Sequence, residues 1–258
     1  MIDFSDFPLW LVLAASFVLF VATIEFGRHV GQRSREAGTE QVSSLQGAVL
    51  GLLALMIGFT FAMSLSRHEA RRESVLREAN AIGGAAMIAR LLPQPQNTEA
   101  LKLLDTYVKI RLDLKAESMT PESLREAVDQ SNATQEKLWQ LAMALTGTDK
   151  GMVPTGLFIQ SLGEVFGDQA KRVAAVRSHV PDIVLLGLYG IAVVALGLLG
   201  YENGTKRRQP RLPPYLVGGL IALVLLLIHD LDRPGSGFIR VSQLPMQETA
   251  ESLAGYLK

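Results

Sequence analysis

Four apolar runs dominate this sequence, and each is long enough to dictate the solvent in which the chain folds. They cover roughly Pro8 to Phe26, Leu45 to Leu65, Pro181 to Tyr201 and Pro213 to His229. A helix crossing the hydrocarbon core of a bilayer needs about 20 apolar residues, with about 17 as a lower limit. The first three runs meet that length comfortably and the fourth just meets it. Helices of soluble proteins rarely run so far without a charge, because one face normally meets water. The first run is not read as a cleaved leader: Asp3 and Asp6 precede it and no lysine or arginine does. The expected fold is an all-α integral membrane protein, with four transmembrane helices in the lipid bilayer.

Composition excludes more than it suggests. The 25 basic and 25 acidic residues cancel, so no basic surplus points to nucleic acid. Cysteine is absent, which removes disulfides, thiolate chemistry and cysteine-held metals. His29, His68, His179 and His229 show neither H-x-x-x-H nor H-E-x-x-H spacing, so no metal or cofactor is expected. No glycine-rich phosphate loop, serine elbow or paired-carboxylate site is found, and the chain is not read as an enzyme. Glu25 and Glu202 either meet near one membrane surface or simply mark helix ends.

The apolar runs divide the chain into residues 1–66, a helical extramembrane stretch over 67–180, residues 181–232, and a tail over 233–258. No proline occurs between Gln46 and Leu92, so the second span continues into water as one helix of about 70 Å at about 1.5 Å per residue. "LLPQPQNT" stops it, because Pro93 and Pro95 cannot continue a helix. A helix over about Glu99–Ala116 follows. Thr120, Pro121 and Glu122 then supply an N-cap, a first-turn proline and a first-turn acid for a helix reaching about Leu145. "TGTDKGMVPTG" reads as a turn, and a last helix runs from about Leu157 to Ser178. The tail reads as a turn at Pro234-Gly235, a strand-like or extended segment, and an amphipathic helix from Gln247 with Ala250, Leu253 and Leu257 on one side.

Four spans put the ends of the second and fourth on one side of the membrane. "SRHEARRE" after span two therefore leaves the lipid on the same side as "HDLDR" after span four. A carboxylate at that depth is costly unless paired or wetted. Asp230 and Asp232, with Arg233 beside them, are thus either partners of Arg67 and Arg71 in a membrane-boundary charge cluster or plain markers of a helix end.

The second span has two opposed faces. Gly47, Gly51, Ala54, Gly58 and Ala62 form a stripe of small residues, the kind that lets membrane helices pack closely. Opposite them Thr60, Ser64, Arg67, Arg71, Ser74 and Glu78 form a polar stripe continued by apolar residues such as Ile57. Such a stripe suits an anion pathway. It equally suits hydroxyls bonded to their own i−4 carbonyls, with arginines anchored at the interface.

Gly58-Phe59, Ser66-Arg67 and Glu69-Ala70-Arg71 resemble the second-helix signature of bacterial bestrophins. "GFTFAMSLSRHEARRESVLREANAIG", the "LLP" at 91–93 and "DLDRPGSGFIRVSQLP" resemble, over nearly the whole chain, a family of bacterial four-span proteins labelled bestrophin-like. Resemblance to bestrophins implies a homo-oligomeric ion channel, pentameric and usually anion-conducting, whose second helices ring the pore. It carries the aromatic of the pore neck onto Phe59, with Leu55 and Gly51 at successive turns. It also implies that the helical domain and both termini lie on the cytoplasmic side of a bacterial plasma membrane. The chain departs from that signature at His68 and Glu69, where bestrophins have paired tryptophans. The face carrying Phe59 lies about 100° from Thr60 on the helix, so the two faces cannot both point at one axis. Two functions are expected from these features: a channel lined by Leu55, Ile57, Phe59, Thr60, Ser64, Arg67 and Arg71, or a non-conducting module that docks a protein partner on its helical domain.

Overall fold

The structure is a computed structural model that describes residues 7–34, 39–113, 121–146, 152–206, 210–235 and 237–258. The described residues form helices without strands, in the order α1 (Leu9–Arg33), α2 (Thr39–Ala89), α3 (Gln96–Asp113), α4 (Pro121–Leu145), α5 (Met152–Arg177), α6 (Asp182–Thr205), α7 (Leu212–Asp232) and α8 (Leu244–Tyr256). Four helical stretches among them are long and apolar enough to span a bilayer. The chain is a multi-pass membrane protein. It resolves into two compact units, Met1–Ser66 with His179–Arg233, and Arg67–Ser178 with Pro234–Lys258.

The first unit holds the four spans. Its core gathers Phe20 and Ile24 of α1, Leu53 of α2, Leu188 and Leu196 of α6, and Ala222 and Leu225 of α7. The seam between α1 and α6 is closer than ordinary side-chain packing allows. A methyl added at Gly27 would sit 2.1 Å from the Gly197 carbonyl oxygen, and one at Gly31 would sit 2.2 Å from that of Tyr201. From the other side, a methyl at Gly200 would lie 2.1 Å from the Ile24 carbonyl oxygen and one at Gly204 2.2 Å from that of Arg28. These are two facing small-xxx-small motifs, Gly27/Gly31 and Gly200/Gly204. In lipid, where apolar burial gives no net drive, such backbone contact supplies the van der Waals attraction.

Both helices outrun the expected spans. The apolar runs end near Phe26 and Tyr201, yet α1 continues to Arg33 and α6 to Thr205. The glycine seam explains this, since it lies at those helix ends and holds them together. Hydroxyls inside the spans bond back along their own helices, as at Ser16 to Val12 (2.7 Å) and Thr23 to Leu19 (2.8 Å). Glu25 and Glu202 have separate partners: the Tyr215 hydroxyl donates to Glu25, while Lys206 pairs with Glu202 at 2.6 Å.

The second unit is an ordinary packed core. Ile82, Ala85 and Ala89 of α2 meet Leu104 and Tyr107 of α3, Leu138 of α4, and Phe158 and Leu162 of α5. Alanines at three- and four-residue spacing let α2 sit close to its neighbours. α3 begins at Gln96, three residues earlier than expected, just past the two prolines. Pro154 falls within the first turn of α5, which starts at Met152 rather than near Leu157; its missing N–H is no loss there. Thr120 and residues 147–151 lie outside the described residues. Past Arg233, the described residues are irregular until α8, which begins at Leu244 rather than Gln247. Met246 and Leu253 bury in this unit's core, with Ala250 and Leu257 packed against it.

Candidate functional site

α2 carries most of the candidate residues, and its faces are unequal. In the first unit Leu53, Thr60 and Ser64 are buried. The opposite side is open. Gly47, Gly51, Ala54, Gly58 and Ala62 are exposed, and a methyl built on any of these three glycines meets nothing within 4 Å. Leu55 is 55% exposed and Phe59 65% exposed, on the flank of that same open side. Ile57 packs partly against the core of the first unit.

The polar stripe therefore turns into the chain. Thr60 is 1% exposed and donates to the Met56 carbonyl at 2.8 Å. Ser64 is fully buried, and its hydroxyl has no hydrogen-bond partner among the described residues. Buried hydroxyls facing protein rather than lipid are the usual arrangement in membrane helices. Of the two faces legible in the sequence, the one assigned to Phe59 by resemblance is the exposed one.

In the second unit the polar stripe of α2 reaches other helices at Glu78. Arg67 donates from Nη1 to the Ser178 hydroxyl. Arg71, 2% exposed, donates from Nε to the Arg67 carbonyl at 3.3 Å. Two turns on, Glu78 is fully buried, accepts three hydrogen bonds and is paired with two arginines. Tyr107 donates its hydroxyl at 2.8 Å. Arg111 approaches with Nε at 2.9 Å and Nη2 at 3.4 Å, and Arg172 with Nη1 at 2.7 Å. The second amino group of Arg172 donates to Gln243, the residue before α8, at 2.9 Å. Burial, reinforced by the Glu78 charge, pushes the Tyr107 phenol well above the ordinary tyrosine value. Burial lowers Arg172 below the ordinary arginine value, against the pull of Glu78. The sequence shows Glu78 on the stripe; it does not show that Tyr107, Arg111 and Arg172 converge on it, or that Gln243 joins them through Arg172.

The charges ending α7 belong to the first unit. Asp230, Asp232 and Arg233 are all buried. Asp232 accepts from the Val180 backbone N–H at 2.9 Å, just ahead of α6. Immediately before them His229 lies 3.3 Å from the Tyr189 hydroxyl, which lies 2.9 Å from that of Ser16. This polar chain links α1, α6 and α7 within the spans.

These features define a class: an all-helical membrane protein with four spans and a compact helical unit drawn mainly from the segment between the second and third. The sequence matches the Bestrophin-like domain over residues 12–246, and the chain belongs to that family. Its fold is similar to that of a bacterial bestrophin homolog from Klebsiella pneumoniae, at 16% identity over 97% of each chain and a TM-score of 0.64. A leucine-to-threonine variant of that homolog, 17% identical over 96% of this chain and 97% of the other, gives a TM-score of 0.63. A crystal structure described only as a membrane protein with a proline-to-alanine change gives 0.65 at 16% identity over 97% of each chain. No curated protein matches the sequence.

Proposed function

We propose that this protein is an ion channel formed by a ring of identical chains, five by resemblance, with α2 of each chain lining the pore. The observation that carries this reading is the open face of α2. A membrane helix that buries its hydroxyls and leaves Leu55 and Phe59 exposed beside an unpartnered glycine stripe suits an axis shared by several copies. Close approach needs the small residues, and an apolar neck needs the large ones. In this reading Leu55 and Phe59 form the neck. Thr60 and Ser64 stiffen α2 against its own chain, and Ile57 sits at the edge of the lining.

Anions are the favoured permeant class. α2 carries no acidic residue between Gln46 and Ser66 and meets Arg67 and Arg71 just beyond it, while Arg72 and Arg77 are paired with Glu69 and Glu73, so no ring of carboxylates stands within the span itself. The membrane is read as a bacterial plasma membrane, with the second unit and both termini on its cytoplasmic side.

The test is electrical. Full-length protein in planar bilayers is expected to pass anion current, and Phe59→Ala is expected to raise unit conductance. A strictly monomeric protein in mild detergent would refute the ring. Wild-type bilayers that stay silent across ions and pH would favour the second reading, a non-conducting docking module. Trp139 and Met143, exposed one turn apart on α4, supply a surface for that.

A further inference from the structure

The basic groups around Glu78 line a cavity of about 30 Å³ in the second unit. Its polar lining comes from Arg71, Arg111, Arg172 and Gln243, and its remaining walls are apolar, Val75 and Val241 among them. A single water-sized occupant needs roughly 10–15 Å³, so the space is real but small. Two observations indicate the charge of an occupant. Arg111 is 1% exposed, and its Nη1 has no hydrogen-bond partner among the described residues. Moreover, among the described residues Arg111 and Arg172 both pair with one carboxylate, that of Glu78; these two positive charges against one negative leave +1 in a buried place, with Arg71 left out of the sum. A buried guanidinium donor without an acceptor is costly, and a water satisfies the donor but not the charge.

We infer that this cavity binds one small monovalent inorganic anion, of halide size, held by Arg111 and Arg172. The charge sum selects a monovalent ion, and the apolar walls favour weakly hydrated bromide over chloride. Because Arg172 is also bonded to Gln243, the ion ties α3 and α5 to the segment that starts α8. All of its lining residues belong to the second unit.

The experiment uses the full-length detergent-solubilised protein at constant ionic strength, exchanging sodium gluconate for sodium bromide. The melting temperature is expected to rise by about 3–5 °C for each tenfold increase of bromide above its Kd, and not to rise in gluconate. Arg111→Gln should abolish the bromide-dependent rise. An equal rise in that variant would place the effect elsewhere and overturn the proposal. Should the variant fail to fold, bromide anomalous diffraction from the wild-type protein decides. A peak within hydrogen-bonding reach of Arg111 Nη1 supports the site, and water alone in the cavity overturns it.

Discussion

Replacing Gly200 by alanine adds one methyl group at one of the two tightest points of the α1–α6 seam. That methyl would lie 2.1 Å from the Ile24 carbonyl oxygen and 2.9 Å from the Ile24 carbonyl carbon and Cα. Ordinary contact begins at 3.4 Å, so the helices must part by about 3.4 − 2.1 = 1.3 Å. Both sides are helical backbone, so no side chain can swing away. Overpacking of this kind costs roughly 1–3 kcal/mol. Parting the helices also loosens the contacts at Gly27, Gly31 and Gly204, each a backbone approach that contributes about 0.5–1 kcal/mol. Alanine returns about 1 kcal/mol through its better helix propensity. The net loss is about 3 kcal/mol, a drop in melting temperature of roughly 6–12 °C for a chain of this size. Thermal unfolding of the full-length protein in detergent measures it. Gly163→Ala is the control: a methyl there meets nothing within 4 Å, and the change is expected to stabilise by up to about 1 kcal/mol. A Gly200→Ala protein melting within about 2 °C of wild type would show that the seam is not tight and refute the reasoning.

Glu78→Ala leaves two buried guanidiniums without their carboxylate, an expected loss of about 3–5 kcal/mol, read by the same assay; adding Arg111→Met and Arg172→Met should recover most of it. Tyr107 titrates far above the ordinary tyrosine value of 10.0 in the folded chain. Its contribution is therefore complete below pH 10 and lost as pH rises beyond it, with a slope of about 1.4 kcal/mol per pH unit. Stability measured at pH 10–11.5 should fall less steeply in Tyr107→Phe by that amount, and identical slopes would refute the assignment. Asp232→Ala removes the acceptor for the Val180 N–H and is expected to cost about 1–3 kcal/mol, whereas Asp232→Asn, which keeps an oxygen there, should cost less than half as much.

The spans and most of the helix order are legible because each rests on a local rule. Long uncharged runs specify crossings, and proline placement bounds α2 and α3. The amphipathic tail is equally plain, with Leu253 in the core as its periodicity requires. The faces of α2 are harder to read. A stripe of Thr60, Ser64 and Arg71 on a membrane helix suits either a wet pathway or the interior of the chain, because polar side chains avoid only lipid. Periodicity fixes which residues share a face without saying what that face meets. The glycine seam was present in the sequence as Gly27-Arg-His-Val-Gly31 and Gly200-Tyr-Glu-Asn-Gly204. Its charged and polar neighbours make those stretches look like loops, which hides the helices that contain them. The convergence on Glu78 depends on residues up to 94 positions apart, a distance that no local pattern reaches.

The seam also bears on how the chain is made. α1 and α6 grip each other by their backbones, yet the whole segment from Thr39 to Arg177 is synthesised between them. Until the third span arrives, Gly27 and Gly31 present a bare groove to lipid or to whatever protein attends insertion. Assembly of the membrane part is therefore gated by delivery of α6. A ribosome stalled before Gly200 would leave behind an α1 that has nothing to grip.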